Sequence, residues 1–287
     1  MFAIFKREFK SYFLTTTGYI YMSLFLLIAG IFFLLVNLFP QDPRFSGFLE
    51  SIIFIFLISV PILTMRLMTD EAKYRTDQLL FTSPLKITDI VLGKYFAAIA
   101  LFLITMAVTA IWGIMISFFG EVDWSETIAA YTGFILMGFA FISVGLFISS
   151  TTENQVVAAI VTFGALLVTW IIDFIQQGVP TTMGSGIVFT AIVFAGIAAW
   201  VYFSTKNWII TAATVLVGAG VIILVYFLAQ EFYFGLISKS LNWFSLIQRY
   251  EGFRLGTLRL DAIIYYLTFS SFFIFLTVRH LEKRRWK

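Results

Sequence analysis

Residues 95–119 read YFAAIALFLITMAVTAIWGIMISFF. The run holds no charged side chain and alternates with no period of two. A bilayer core about 30 Å thick is crossed by roughly 20 apolar residues as a helix, and a barrel strand would alternate over about ten. This stretch therefore reads as a membrane-spanning helix. Gly93-Lys94 stands just before it, and the loop Gly120–Glu126 after it is acidic, with Glu121, Asp123 and Glu126.

Seven further segments meet or approach the same length: Tyr19–Phe39, Phe48–Met65, Ile128–Ile148, Val156–Ile172, Ile187–Phe203, Trp208–Ala229 and Ala262–Val278. Val156–Ile172 and Ile187–Phe203 are the shortest. Pro61 is expected to kink the second segment near its inner end. Lys6, Arg7 and Lys10 precede Tyr19–Phe39, which is too long for a signal sequence and reads as a retained first span.

Composition agrees. Of 287 residues, 60% are hydrophobic and 12% charged, with 35 Phe, 12 Tyr and 7 Trp. A soluble domain carries roughly 25% charged residues. Too little polar surface remains to cover a soluble fold of this size. A cytosolic enzyme, a nucleic-acid-binding domain and a disordered chain are excluded. With no cysteine and one histidine, His280, disulfides, thiolate metal sites and His-rich metal sites are excluded too.

Lys and Arg set the orientation. With the N-terminus inside, the inner segments carry about 14 of these residues and the outer ones 5, namely Arg44, Lys239, Arg249, Arg254 and Arg259. Eight spans return the chain to the inside, where the basic end Arg279–Lys287 belongs. The expected fold class is all-α: a single transmembrane domain over 1–287, a polytopic helix bundle of about eight transmembrane helices with both termini cytoplasmic.

Two polar connections are long enough to carry function, inner Arg66–Lys94 and outer Glu231–Asp261. The inner one reads RLMTDEAKYRTDQLLFTSPLKITDIVLGK. Leu67, Met68, Tyr74, Leu79, Leu80 and Phe81 fall near helical spacing, which predicts an amphipathic surface helix. Pro84 interrupts it, and Thr88-Asp89 is set to cap the next span. Asp70, Glu71 and Asp77 dilute the positive charge. That disfavours simple headgroup binding and suits docking on another protein.

Several chemistries are missing. No GxxxxGK[ST] is present, so the chain does not hydrolyse ATP by the P-loop mechanism. There is no HExxH and no GxSxG. Asp70-Glu71 with Arg75 echoes the EExxxR of prenyl-protein peptidases, but that chemistry needs intramembrane histidines. The spans are nearly free of charge, which argues against a proton-driven pump. Asn37, Thr105, Thr109, Ser143, Thr162 and Thr169 are expected to serve helix packing, as are Gly133, Gly138 and Gly145.

The motifs along the chain resemble the permease subunit of type-2 ABC exporters, in the gliding-motility-type branch. Pro61, Leu63, Thr64, Met65 and Arg66 are similar to its P-x-L-T-M-R. Asp70-Glu71 supply an acidic pair. Thr76, Leu79, Leu80, Thr82 and Pro84 match G-T-x-E-L-L-x-T-x-P, and Ile90, Val91, Gly93 and Lys94 match I-V-x-G-K. Lys6-Arg7-Glu8, Thr152-Glu153-Asn154-Gln155 and the ending Leu281-Glu282 with Arg284-Arg285-Trp286 also resemble the branch. Arg75 stands where Gly is usual, and Gln78 where Glu is usual.

The resemblance implies a six-helix core, with residues 176–230 as a two-helix insertion. It implies an exporting permease in the cell (inner) membrane of a bacterium or archaeon; the spans, which offer hydroxyls and aromatics but almost no fixed charge, point to an amphipathic or lipid-like substrate. The partners it implies are a separate P-loop ATPase subunit, which binds ATP and Mg, and a second permease. No cofactor is expected in this chain itself, and no nucleic acid; membrane lipid surrounds it. In such proteins the inner connection, here 66–94, holds the coupling helix seated on the ATPase. The residues expected to couple are Arg66, Asp70, Glu71, Lys73, Arg75 and Asp77, with Glu71→Lys expected to fold yet stimulate the ATPase less. The outer segment 231–261 corresponds to a re-entrant region. Its Trp243, Phe244, Arg249 and Tyr250 are candidates for an exit gate or a dock for an extracytoplasmic subunit, or simply an aromatic belt. The rival from another class is an ion-coupled secondary transporter.

Overall fold

The structure, a computed structural model, describes residues 1–76, 85–118 and 120–285. Among these residues every regular element is helical, with eight helices long and apolar enough to cross a membrane. Helix α1 spans Phe2–Leu14 and α2 spans Thr16–Phe33, continued by a π-turn at Leu34–Leu38. The second spanning segment is built in pieces: α3 (Phe45–Ser51), a 3₁₀ turn (Ile53–Ile55), α4 (Phe56–Thr64) and α5 (Thr69–Lys73). Then come α6 (Ile87–Ile116), α7 (Trp124–Thr151), α8 (Gln155–Gly178), α9 (Met183–Thr205) and α10 (Trp208–Leu228). A 3₁₀ turn at Gln230–Tyr233, α11 (Leu236–Phe244), α12 (Tyr250–Arg254) and α13 (Leu260–Arg285) complete the chain.

The two shortest expected spans reach full length. Helices α8 and α9 are 24 and 23 residues long. Gln, Gly, Ser and Thr at their ends hid those turns from a hydropathy reading. The break in the second span falls at Ile52, where the backbone leaves helical geometry (φ −97°, ψ 4°). Pro61 lies inside α4, and the helix ends one turn later. Thr88-Asp89 does not cap α6. The helix starts at Ile87 behind Lys86, and Asp89 sits in its first turn.

The chain divides into two compact units. One comprises 1–168 and 249–287, the other 169–248. In the first, α7 is the central helix, with 72% of its spanning window buried. It packs most extensively against α13, and also against α4, α6 and α12. Lipid tails are as apolar as leucine, so helices associate in a membrane by close packing rather than by escape from water. Small residues make that approach. A Cβ at Gly133 would lie 2.5 Å from Phe253, and one at Gly138 2.5 Å from Phe102. One at Gly145 would collide with Thr64. The expected packing role of these glycines holds.

In the second unit α9 and α10 pair with each other, Gly218 lying against Phe194. Only 11% and 6% of their spanning windows are buried, so both present most of their apolar surface outward.

Candidate functional site

Helix α1 was not expected from the sequence, in which Lys6, Arg7 and Lys10 were read only as basic residues before the first span. Its sequence FAIFKREFKSYFL places Ile4, Glu8 and Tyr12 four residues apart, hence on one face. Ile4 and Tyr12 are buried. Phe2, Phe5, Phe9 and Phe13 line up along the helix with successive ring centroids 6.1, 5.7 and 5.2 Å apart. That ladder at i, i+3, i+7 and i+11 was the signal to find it by. The helix lies along the start of α6, where Gly93 admits Ile4: a Cβ there would stand 3.0 Å from the Ile4 side chain.

The residue that organises this end is Lys94. It sits two turns into α6 and is 2% exposed. An ammonium has three N–H donors and no acceptor. Around it stand three acceptors: the Leu67 carbonyl at 2.6 Å, Glu71 Oε1 at 3.0 Å and Glu8 Oε1 at 3.3 Å. Arg7 closes the ring, its Nη2 lying 2.6 Å from Glu8 and 2.7 Å from Glu71. Two cations face two carboxylates, so the cluster is neutral. Burial works against the Arg7 charge, but Glu8 and then Glu71 outweigh it and hold Arg7 above the ordinary arginine value.

The connection after α4 is shaped to meet this cluster. Thr69 Oγ1 donates to the Met65 carbonyl at 2.5 Å, tightening the turn into α5. Arg66 reaches Thr17 Oγ1 at 2.5 Å and Asp70 Oδ2 at 3.2 Å. Asp70 Oδ1 accepts from Gln155 Nε2 at the head of α8. Asn154 caps α8, its Oδ1 accepting from Val156 N at 2.9 Å, and Glu153 pairs with Arg284 of α13 at 2.9 Å. Tyr12 Oη donates to the Leu63 carbonyl at 3.2 Å. Burial, then the nearby Glu8 charge, pushes the Tyr12 hydroxyl pKa well up. A cavity of about 190 Å³ lies among Glu8, Tyr12, Thr17, Arg66, Asp70 and Lys94.

The expected coupling residues thus fall into two groups. Arg66, Asp70 and Glu71 engage other parts of the chain. Lys73 and Arg75 are exposed, with Tyr74 between them 69% exposed. Lys73 Nζ stands 5.7 Å from the Tyr74 ring centre. Arg75 holds φ at +55°, the left-handed region that glycine adopts freely. That is the position where the resembling branch carries Gly. The amphipathic helix expected through residue 82 is, within the described residues, the five-residue α5 and a turn. Asp77, with Leu79, Leu80, Thr82 and Pro84, lies outside the described residues. A lysine at position 71 would face Lys94 in place of the carboxylate, so Glu71→Lys loads the fold as well as any partner contact.

The outer candidates fall in different units. Trp243 lies in the last turn of α11 and is 66% exposed. Phe244 is the last residue of the same helix, and its side chain lies outside the described set. Arg249 lies over the Tyr265 ring at 3.7 Å. Tyr250 opens α12, is 1% exposed, and packs edge-on to Phe134 at 6.4 Å.

Lys94, Glu8 and Gln155 were read as motif members, not as site residues. Each sits in a different sequence motif, and only the fold brings them together. What the cluster does chemically is cross-link. Its carboxylates are held by cations or an amide, so it ties α1, the α4–α5 connection and the heads of α6 and α8 into one body. A search of curated proteins found no match. The family model described as ABC-2 family transporter protein matches residues 4–177, more than half of the chain and all of the cluster. This chain belongs to that ABC-2 transporter family.

Proposed function

We propose that this chain is the permease subunit of an ATP-driven exporter, in the gliding-motility-type branch of the ABC-2 family. It carries no catalytic residue of its own. A separate P-loop ATPase binds ATP and Mg and docks on the connection 66–94, and a second permease completes the transporter. The substrate class is amphipathic or lipid-like, because the spans offer hydroxyls and aromatics with few fixed charges. The membrane is the inner membrane of a bacterium or archaeon. The observation that carries this reading is the buried Lys94 cluster. It fixes the connection to α1 and α6, so a push at the exposed tip Lys73–Arg75 moves spans rather than a loose loop. Residues 176–230 as an insertion and 231–261 as a re-entrant exit region belong to the same proposal. Family membership gives no support to an ion-coupled secondary transporter.

The first test is mass spectrometry of what co-purifies after gentle solubilisation from the native membrane. A stoichiometric partner bearing GxxxxGK[ST] is expected, and a partner-free chain in several detergents would remove the basis of the reading. In that complex Lys73→Glu and Arg75→Gly are expected to lower permease-stimulated ATPase activity several-fold. Arg75→Gly should at the same time hold or raise the melting temperature, because it relieves a left-handed backbone worth about 1 kcal/mol. Unchanged stimulation in both variants counts against docking at this tip.

A further inference from the structure

Helix α1 has a side that its packing on α6 does not use. We propose that this side is a docking surface for anionic lipid in the leaflet nearest the N-terminus. The inference does not depend on the transport reading above.

A helix turns about 100° per residue. On α1 the strip Ile4, Glu8 and Tyr12 is turned inward, with Ile4 and Tyr12 buried and the Glu8 side chain 17% exposed. About a quarter turn round the helix lie Phe2, Phe5, Phe9 and Phe13. Lys6 and Lys10 follow on the side opposite the inward strip, one turn or about 5.4 Å apart, and both are exposed. The one acid of α1 thus points away from its two lysines.

The phenylalanine ladder marks what covers this side. Phe2, at its start, is 74% exposed. At its other end the ladder runs on into the first span, where the Phe13 and Tyr19 rings meet edge-on with centroids 6.1 Å apart. Tyr19 is 58% exposed and sits in the first turn of α2, which begins two residues after α1 ends. The ladder is therefore continuous with the outward side of a spanning helix, at the level where that helix begins. Aromatic rings are favoured at that level, and a helix with an apolar side beside lysines lies in the interface plane.

The charge selects the headgroup. Arg7 is taken up by Glu8 and Glu71, and the N-terminal ammonium lies 3.7 Å from Asp89. Lys6 and Lys10 meet no acid among the described residues. Each offers three N–H donors and no acceptor, so the group they bind is an anion. A helix of 13 residues is marginal alone in water. Here the packing on α6 and the ion pairs of Arg7 and Glu8 hold it formed, so lipid meets two ammoniums already in register.

The chain has no cysteine, so Ala3→Cys gives a single site for an environment-sensitive fluorophore at an exposed position beside the lysines. The labelled full-length chain, in a neutral detergent, is titrated with short-chain phosphatidylglycerol and separately with phosphatidylcholine of the same chain length. Each lysine at an anionic surface is worth about fivefold in affinity, so phosphatidylglycerol is expected to bind about 25-fold more tightly. Lys6→Gln with Lys10→Gln should erase that preference. Lys283→Gln with Arg285→Gln, an equal loss of charge at exposed positions on α13, should leave it intact. Both α1 lysines are exposed, so the double variant is expected to keep the parent melting temperature. If it does not, each single variant should still lose about fivefold. Equal binding of the two lipids, or a parent-like preference in the folded α1 variants, would overturn the assignment. Displacement of the lipid by glycerol phosphate would overturn it in favour of a soluble anion. Loss of the lipid response when a co-purified protein is bound would give this side of α1 to that protein instead.

Discussion

Lys94 is buried while Arg7 beside it is half exposed, and the worth of its charge follows from its partners. Removing one member of a buried ion pair costs about 3–5 kcal/mol, because the opposite charge is left behind. Here Arg7 remains to hold Glu8 and Glu71, so Lys94→Met is expected to cost about 3 kcal/mol, at the low end of that range. A fall in thermal melting temperature in detergent measures it, and a loss within error would show the cluster to be ornamental. Tyr12 makes a pH prediction. Its pKa is raised in the folded state, by burial first and then by Glu8. The unfolded state therefore loses its proton first. The stabilisation is complete below the ordinary tyrosine value near 10 and declines as pH rises above it. Tyr12→Phe should melt lower at neutral pH, by about 1 kcal/mol for the lost bond to Leu63. Above about pH 10 the gap between variant and parent should close. A constant gap up to pH 11 would contradict the assignment.

Among the elements, α7 shows how a helix rich in small residues becomes a hub. Asp123 caps it, its Oδ1 accepting from Ser125 N at 2.9 Å and Glu126 N at 3.2 Å. The helix then buries Gly133, Gly138 and Gly145 against three different elements, α12, α6 and α4. Phe102, opposite Gly138, is fully buried and has no room to swing. Gly138→Ala is expected to cost about 1–3 kcal/mol by overpacking, although alanine is the better helix former. Melting temperature checks the sign. A gain would mean that helix propensity, not packing, governs this position.

At the scale of the whole molecule, 169–248 forms its own compact unit, and its α9–α10 pair can be excised to ask what it adds. The chain ends flanking the pair already meet: Gly235 N donates to the Thr181 carbonyl at 3.2 Å. Joining residue 182 to 234 through a short Gly/Ser linker therefore imposes little strain. The shortened chain is expected to insert, to purify as a folded protein, and to keep the melting contribution of the Lys94 cluster. That contribution is read as the Lys94→Met difference within the shortened chain. Loss of the difference would show that the first unit does not stand alone.

How much of this was legible beforehand follows from the range of each interaction. Spans and their number are local quantities. Each needs only its own run of apolar residues to satisfy backbone groups in lipid, so residues 95–119 declared a helix without reference to anything else. The positive-inside bias and the missing catalytic motifs are likewise properties of the string. The left-handed backbone at Arg75 is not local in that sense, since arginine gives no sign of a positive φ. The cluster is different. Glu8, Glu71, Lys94 and Gln155 lie on separate elements, and the sequence marks none as the partner of another. Only packing places three acceptors around one buried ammonium. The same holds for Asn37, whose span marks it as one more packing residue. The π-turn turns its nitrogen to the Asp42 and Arg44 carbonyls, an outcome set by backbone geometry rather than by residue type.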